Sequence, residues 1–287
     1  MKIGYLGPEG TFSEEASQLY LKKLGANAEL FPYATFYDLL FAVEHGKVAE
    51  AIAPIENSIE GTIGTITDML AKDVNLFIKQ ELVLPIYHNL IAPKGVKLSR
   101  ITDVISIPQA LDQCKDFLRK KLPKIKLHMA ASTSNAVMQV ATSIGEKLAV
   151  HSKTKGHVFA AIGTKSAAHL YGLNIIAEKI NAKDNQTRFV VLAKKDHLPT
   201  GKDKTSIVFS IRQDRPGGLH ACLEAFADKS INLTKIESRP SKKALGDYLF
   251  FIDMEGHRQD LIIAKALAQL KKQTSFFKLL GSYPRFL

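Results

Sequence analysis

Cysteine is scarce. The chain carries only Cys114 and Cys222, far apart and without metal-ligand spacing. That excludes a disulfide framework and fits a reducing cytoplasm. Long apolar runs are missing as well. None approaches the roughly 18 residues needed to span a bilayer. The opening Met1-Lys2-Ile3-Gly4-Tyr5-Leu6 is broken too soon, at Gly7-Pro8, to be a signal peptide. No membrane partner and a cytoplasmic location are therefore expected. There is no Gly-x-Gly-x-x-Gly dinucleotide fingerprint and no Gly-x-Ser-x-Gly elbow. The nine histidines are spread without ligand spacing, and His151 and His157 are only a loose pair. No metal and no cofactor are expected.

What is present bounds the class. A length of 287 residues with 46% apolar content suggests about two domains, each with an ordinary core. The formal charge is +11, but Lys and Arg are scattered. The densest runs, Arg119-Lys120-Lys121 and Lys271-Lys272, fall late in helical patterns, where cations favour the helix dipole. They read as solvated faces, not as a nucleic-acid surface. A diffuse positive field still steers a dianionic substrate.

Strands and helices alternate over residues 1–195, the pattern of an α/β domain. A strand over 2–6, the turn Gly7-Pro8-Glu9-Gly10 and a helix capped by Thr11, with Glu14 reaching back, offer free backbone N–H groups to a carboxylate or phosphate. A short strand over 51–53 ends at Pro54, and 55–64 reads as a polar loop. The extended run 82–91 is long for one small sheet and suits a strand crossing between two lobes. Ser106 and Gln113 flank a further strand-to-helix junction, whose helix sets Leu111, Cys114, Leu118 and Leu122 on one side. Ser132 is the expected cap of the helix that follows. Residues 145–157 are hard to read. Residues 196–204 read as a linker, and 205–287 as βαββαβ, a ferredoxin-like domain. Its third strand lacks the basic RNA-binding signature, so no nucleic-acid partner is expected.

One stretch organises the rest. Asn185-Gln186-Thr187-Arg188-Phe189 is a polar loop entering a buried strand, and strand alternation sets Thr187 and Phe189 on one face and Arg188 on the other. Taken alone it is an ordinary strand start. In the company of Gly7-Pro8-Glu9-Gly10-Thr11-Phe12-Ser13, Pro54-Ile55-Glu56-Asn57-Ser58 and Glu237-Ser238-Arg239-Pro240, in this order, it resembles prephenate dehydratase with its C-terminal ACT regulatory domain. The resemblance spans nearly the whole chain. It implies an α/β fold: a two-lobed, type II periplasmic-binding-protein-like catalytic domain over 1–195, then the ACT domain over 205–287.

The resemblance also implies a reaction, the decarboxylating dehydration of prephenate to phenylpyruvate in L-phenylalanine biosynthesis, without a cofactor. The catalytic group it implies is Thr187, Glu56, Asn57, Ser58, Arg188 and Phe189. Thr187 would hold the departing ring hydroxyl, and Glu56, raised by burial, would be the acid. Strand alternation leaves Arg188 divided between site and structure. Thr11, Ser106, Gln113, Ser132, Thr133 and Ser134 would bind the carboxylates and pyruvyl oxygen. L-phenylalanine as effector would lie between paired ACT domains of a homodimer or homotetramer, at Gly217, Gly218, Leu219, His220, Asn232, Leu233, Glu237, Ser238, Arg239 and Pro240. Gly218 and His220 depart from the Ala and apolar residue usual there. No chorismate-mutase-like segment precedes Met1, so a monofunctional enzyme is expected. Arogenate dehydratase, and a non-enzymatic small-carboxylate sensor with an ACT domain, are the alternatives. The intact Thr187-Arg188-Phe189 and Glu56-Asn57 argue against a dead site.

Overall fold

The computed structural model describes residues 1–25, 27–142, 157–181, 184–212, 215–242 and 246–286. The hard stretch 145–157, with His151, lies outside the described residues except for His157.

The first lobe holds β1 (Lys2–Leu6), α1 (Phe12–Leu24), β2 (Glu29–Tyr33), α2 (Phe36–Glu44), β3 (Glu50–Asn57), the short β4 (Gly61–Thr62), α3 (Gly64–Lys72) and β5 (Phe77–Pro85). The chain then crosses into a second lobe: β6 (Asn89–Ala92), β7 (Asp103–Ser106), α4 (Pro108–Gln113), α5 (Lys115–Lys121), β8 (Lys126–Met129), α6 (Thr133–Ala141), β9 (Phe159–Gly163), α7 (Lys165–Leu170) and β10 (Asn174–Ala177). It returns as β11 (Gln186–Ala193), which inserts between β3 and β5. The sheets run β2-β1-β3-β11-β5 and β10-β6-β9-β7-β8. The long extended run does cross between lobes, but as two strands in two sheets, broken after Pro85.

Two local readings change. The strand expected over 51–53 runs on through Pro54 to Asn57, and the expected loop after it becomes a hairpin with β4. Proline has no ladder donor, and the β3–β11 register shifts between Arg188 and Phe189, where Phe189 faces Pro54. A bulge there absorbs the missing bond. The helix after Pro108 breaks at Cys114, yet Leu111, Cys114, Leu118 and Leu122 still share one core.

The last 80-odd residues form β12 (Asp203–Ile211), α8 (Gly218–Ala227), β13 (Leu233–Pro240), β14 (Tyr248–Glu255), α9 (Leu261–Gln273) and β15 (Thr274–Pro284), in sheet order β13-β14-β12-β15. One sheet face packs on its helices through Ile207, Phe209, Phe226, Ile252 and Ile263. The alternate residues Val208, Phe251, Leu280 and Tyr283 join the first-lobe core of Leu39, Val43, Ile66 and Ile78. So the central strands β12 and β14 are buried on both faces, and the sheet docks on the first lobe instead of hanging from it. At Gly281 (φ 144°) β15 lies so close to Ile78 of β5 that a side chain would strike backbone. The segment before β12 is pinned too: His197 N–H donates to Ser282 O at 3.1 Å, and Asp196 pairs with Arg258 at 2.8 Å.

Candidate active site

A cavity of about 530 Å³ opens between the lobes. First-turn residues of α1 (Phe12, Ser13) and α6 (Thr133) line it, with their caps Thr11 and Ser132. Helix starts present unpaired N–H groups and a positive dipole end, so two of the walls favour an anion. The lining contains no Lys or Arg among the described residues, and its ionisable side chains are Glu60 and His88. Gly10 sets the corner beside it. Its φ of 77° is the left-handed region, and an added Cβ would sit 2.9 Å from Ala167 Cα and Ser134 Oγ. The lobes are tied there by Thr164 Oγ1–H donating to Gly10 O at 2.6 Å, and by the Ser134 hydroxyl donating to Glu9 O.

A neutral amide chain runs through the cavity wall, and its polarity is fixed. Asn57 Oδ1 accepts from the backbone N–H groups of Ile59 (2.9 Å) and Glu60 (3.0 Å). Its Nδ2 must therefore donate, and does so to Asn185 Oδ1 (2.8 Å) and Thr187 Oγ1 (2.9 Å). Asn185 Nδ2 then donates to Gln113 Oε1 (2.8 Å), and Gln113 Nε2 to Glu60 Oε1 (3.0 Å). The register sets Thr187 opposite Asn57 on β11 and β3. Because Thr187 Oγ1 already accepts from Asn57 and donates to no described residue, its proton is free for a ligand in the cavity. Phe189, on the same strand face, also lines the cavity and is almost wholly buried.

The back of the same ladder is ionic. Arg188 Nη1 pairs with Asp253 Oδ2 at 2.7 Å and Glu81 Oε2 at 3.3 Å, and Arg188 Nε lies 3.3 Å from Glu56 Oε2. Lys204 reaches Glu81 at 2.9 Å, and Lys235 reaches Glu56 at 3.2 Å. Burial works to raise the Asp253 carboxyl, but Arg188, Ser206 and Lys204 overcome it and hold it below the usual carboxylate range. Burial works to lower the Arg188 guanidinium, and Asp253, Tyr283 and Glu81 overcome that and hold it raised.

Comparison with known proteins settles the kinship. A family model described as Prephenate dehydratase matches residues 3–197, and one described as ACT domain matches residues 205–272. The chain belongs to the prephenate dehydratase family. A prephenate dehydratase from Methanocaldococcus jannaschii is 39% identical over 286 residues, covering 98% of this chain and 97% of that one. A bifunctional chorismate mutase/prephenate dehydratase from Aquifex aeolicus is 40% identical over 289 residues, covering 100% of this chain and 74% of the other. The crystal structure of prephenate dehydratase in complex with L-Phe from Arthrobacter aurescens superposes with a TM-score of 0.88 at 34% identity, over 99% of this chain and 90% of that one.

Against the family motifs, the structure sorts the expected residues. Thr187, Asn57, Phe189, Thr11, Gln113, Ser132 and Thr133 line the cavity. Glu56 does not, which corrects its expected place as the acid. One residue before Asn57, strand alternation turns it to the back, where it pairs with Arg188 and Lys235. Arg188 is turned away for the same reason. Ser58 is exposed and closes the β3–β11 end, donating to Asp184 O at 3.1 Å. Ser106 is fully buried and donates to Ile162 O at 2.8 Å, and Ser134 serves the lobe contact; neither hydroxyl lines the cavity. The Thr11 hydroxyl is spent, accepting the cap bond from Glu14 N–H and donating to Pro8 O at 2.9 Å, whereas Ser132 Oγ accepts from Asn135 N–H at 2.9 Å and donates to no described residue.

Asn185, Glu60 and His88 are among the polar cavity residues that the sequence does not single out as site members. It sets Asn185 at the start of a loop, Glu60 within the polar loop 55–64 and His88 within the crossing run 82–91. The Asn57–Asn185 bond joins residues 128 apart, so no local pattern announces it.

The expected effector residues also divide. Gly217 caps α8, and Gly218 lines a cavity of about 370 Å³ beside Arg212 and Arg215. Leu219 is half-buried against the helix-side core, and His220 is exposed, 3.3 Å from Glu224. Asn232 precedes β13 and Leu233 opens it. Ser238 and Pro240 are exposed on that strand, whereas Glu237 and Arg239 are turned to the first lobe. The Thr62 hydroxyl donates to Glu237, Lys235 donates to Thr62 Oγ1 at 2.6 Å, and Arg239 pairs with Asp68 at 3.0 Å. Thr62 lines the cavity, so β13 grips its wall directly.

Proposed function

We propose that this cavity carries out the family's reaction, with Thr187 as the group that holds the departing hydroxyl. The bond from the ring to its carboxylate breaks as carbon dioxide leaves. Its electron pair moves into the ring, which becomes aromatic, and hydroxide is expelled from the opposite ring carbon and takes up a proton as water. The aromatic product supplies the drive, so the site must position, exclude water and stabilise the leaving oxygen. The observation that carries this reading is the Thr187 hydroxyl, fixed as a donor by Asn57 in a cavity lined by no cation among the described residues. Neutral donors and helix starts hold two carboxylates without an ion pair that would stabilise the ground state and oppose decarboxylation. Phe189 packs beside the ring. Glu60, the carboxyl on the cavity wall, takes the acid's role in place of Glu56.

Residues 1–195 act as the catalytic unit and 205–287 as the regulatory one, joined by 196–204. L-phenylalanine binds where Gly217–His220 meets a second copy's ACT domain, in a homodimer or homotetramer in the cytoplasm, and the Arg212 and Arg215 guanidinium groups are at hand for its carboxylate. A ligand shifts the catalytic cleft only if it binds two arrangements unequally. The contact from β13 to Thr62 supports a direct route. The deciding experiment is phenylpyruvate absorbance in base after incubation with prephenate, and phenylalanine analysis after incubation with arogenate. Turnover of arogenate alone, or of neither substrate, overturns the reading.

A further inference from the structure

Among the described residues His88 is the one histidine in the cavity's lining, and nothing above gives it a task. It sits where the chain crosses between lobes, and its backbone is clamped there: His88 N–H donates to Asn181 Oδ1 at 2.8 Å, and Ile180 N–H donates to His88 O at 2.9 Å. Both lobe-to-lobe crossings therefore fix its position. Phe12 of α1 meets the ring edge-on at 5.5 Å. Its Nε2 lies 3.2 Å from Gln113 Oε1, and its Nδ1 is buried without a partner.

The polarity of the amide chain decides the tautomer. Gln113 Oε1 accepts from Asn185, so it offers only a lone pair to His88, and Nε2 must carry the hydrogen. We propose that His88 is a positioning residue for the dehydration: a neutral Nε2–H imidazole that fixes Gln113 and, through Asn185 and Asn57, keeps the Thr187 hydroxyl aimed at the leaving oxygen. Burial depresses its pKa to about 4, which keeps the ring neutral under working conditions. The orphaned Nδ1 agrees with this. A protonated ring would leave a buried N–H with no acceptor, whereas the neutral ring leaves only a lone pair. The idea rests on Thr187 being the working hydroxyl, and the test separates the two.

His88→Phe keeps the ring and removes the donor. His88→Asn keeps polarity, but its amide is too short to reach Gln113. His88→Gln places an N–H near the position of Nε2. Loss of one positioning bond in the Phe and Asn variants should lower kcat about 10-fold or more with KM within about 3-fold, and Gln should restore most of it. Groups acting through one another are non-additive. In the Thr187→Ala background, His88→Phe should therefore cost less than about 2-fold. If Phe and Asn leave kcat unchanged, if Gln is as impaired as Phe, or if the loss multiplies fully onto Thr187→Ala, the positioning role is overturned. A Thr187→Ala enzyme with wild-type turnover overturns the parent reading instead, and its cycle arm would then show no shared loss. If His88→Phe does not fold, the Asn and Gln pair carries the same comparison.

Discussion

The two faces of the β3–β11 ladder carry opposite chemistry. On the cleft side Asn57 and Thr187 face each other in a chain of neutral amides and a hydroxyl. On the other side their immediate neighbours Glu56 and Arg188, also register partners, enter a cluster of acids and bases shared with Glu81, Lys204, Lys235 and Asp253. A repeat of two residues separates the chemistries by one peptide unit. The difference explains why a motif proposed to bind substrate contains charged residues that do not line the cavity. The neutral face suits a reaction that must not over-stabilise a dianion. The charged face holds the ACT sheet against the catalytic lobe, so a shift of that sheet bears on the strand that carries Thr187.

The comparison can be broken from the charged side first. Arg188→Met should leave Asp253, Glu81 and Glu56 without their shared cation, and removing one partner of a buried ion pair costs about 3–5 kcal/mol. A large fall in thermal midpoint and loss of phenylalanine inhibition are expected; a variant as stable and as inhibitable as the parent would show the cluster to be idle. On the neutral side, Thr187→Ala should keep the fold and lower turnover about 10²-fold or more, with Thr187→Ser retaining more. Steady-state assays with unchanged circular dichroism check this, and full activity in the Ala variant removes the residue from the mechanism.

Next comes the carboxyl pair. Glu60→Gln should lower kcat about 10²-fold if it is the acid, while Glu56→Gln should change kcat less than about 3-fold and act on stability instead. The reverse ranking would restore the acid role to Glu56. Glu237→Ala should weaken inhibition about 5-fold or more, the low end of allosteric coupling, with phenylalanine affinity by calorimetry preserved. A lost affinity would mean that Glu237 touches the effector.

The smallest effect is in pH. His88 has a folded pKa near 4, below its ordinary 6.5, because burial disfavours the charged ring. Between these values the unfolded chain binds more protons, so this stability is complete above about pH 6.5 and is lost as pH falls towards 4. Asp68, Glu237 and Asp253 are depressed carboxyls, held down against burial by Arg239 and Lys242 at Asp68, by the Thr62 hydroxyl and Lys235 at Glu237, and by Arg188 and Ser206 at Asp253. Their contribution is present above the ordinary carboxylate range and is lost only as pH falls through their lower folded values. Melting curves of His88→Phe should flatten the first window and leave the second. Curves parallel to the parent's throughout would place the first window elsewhere.

Much of this molecule was open to sequence reasoning. Periodicity, caps and glycine turns fix the α/β order, and Thr11 and Ser132 cap their helices where cap chemistry requires. Alternation alone turns Arg188 from Thr187. The same rule, applied one residue before Asn57, would have turned Glu56 away as well, but only once β3 is known to run through Pro54, and proline reads locally as an end. The polar direction of the amide chain was not legible. It depends on Asn57 meeting Asn185 and on Gln113 arriving from the other lobe, contacts made by no short-range signal.

By itself the sequence determined the family, the βαββαβ ending and the residues that share strand faces, because these follow from spacing and local backbone preference. Tertiary structure decided which polar groups look into the cleft, which tautomer His88 takes, and that the ACT sheet shares a core with the first lobe through Phe251, Leu280 and Tyr283. Those depend on which distant atoms exclude water and supply partners, and the free energy of a buried polar group is set by those neighbours rather than by its place in the chain.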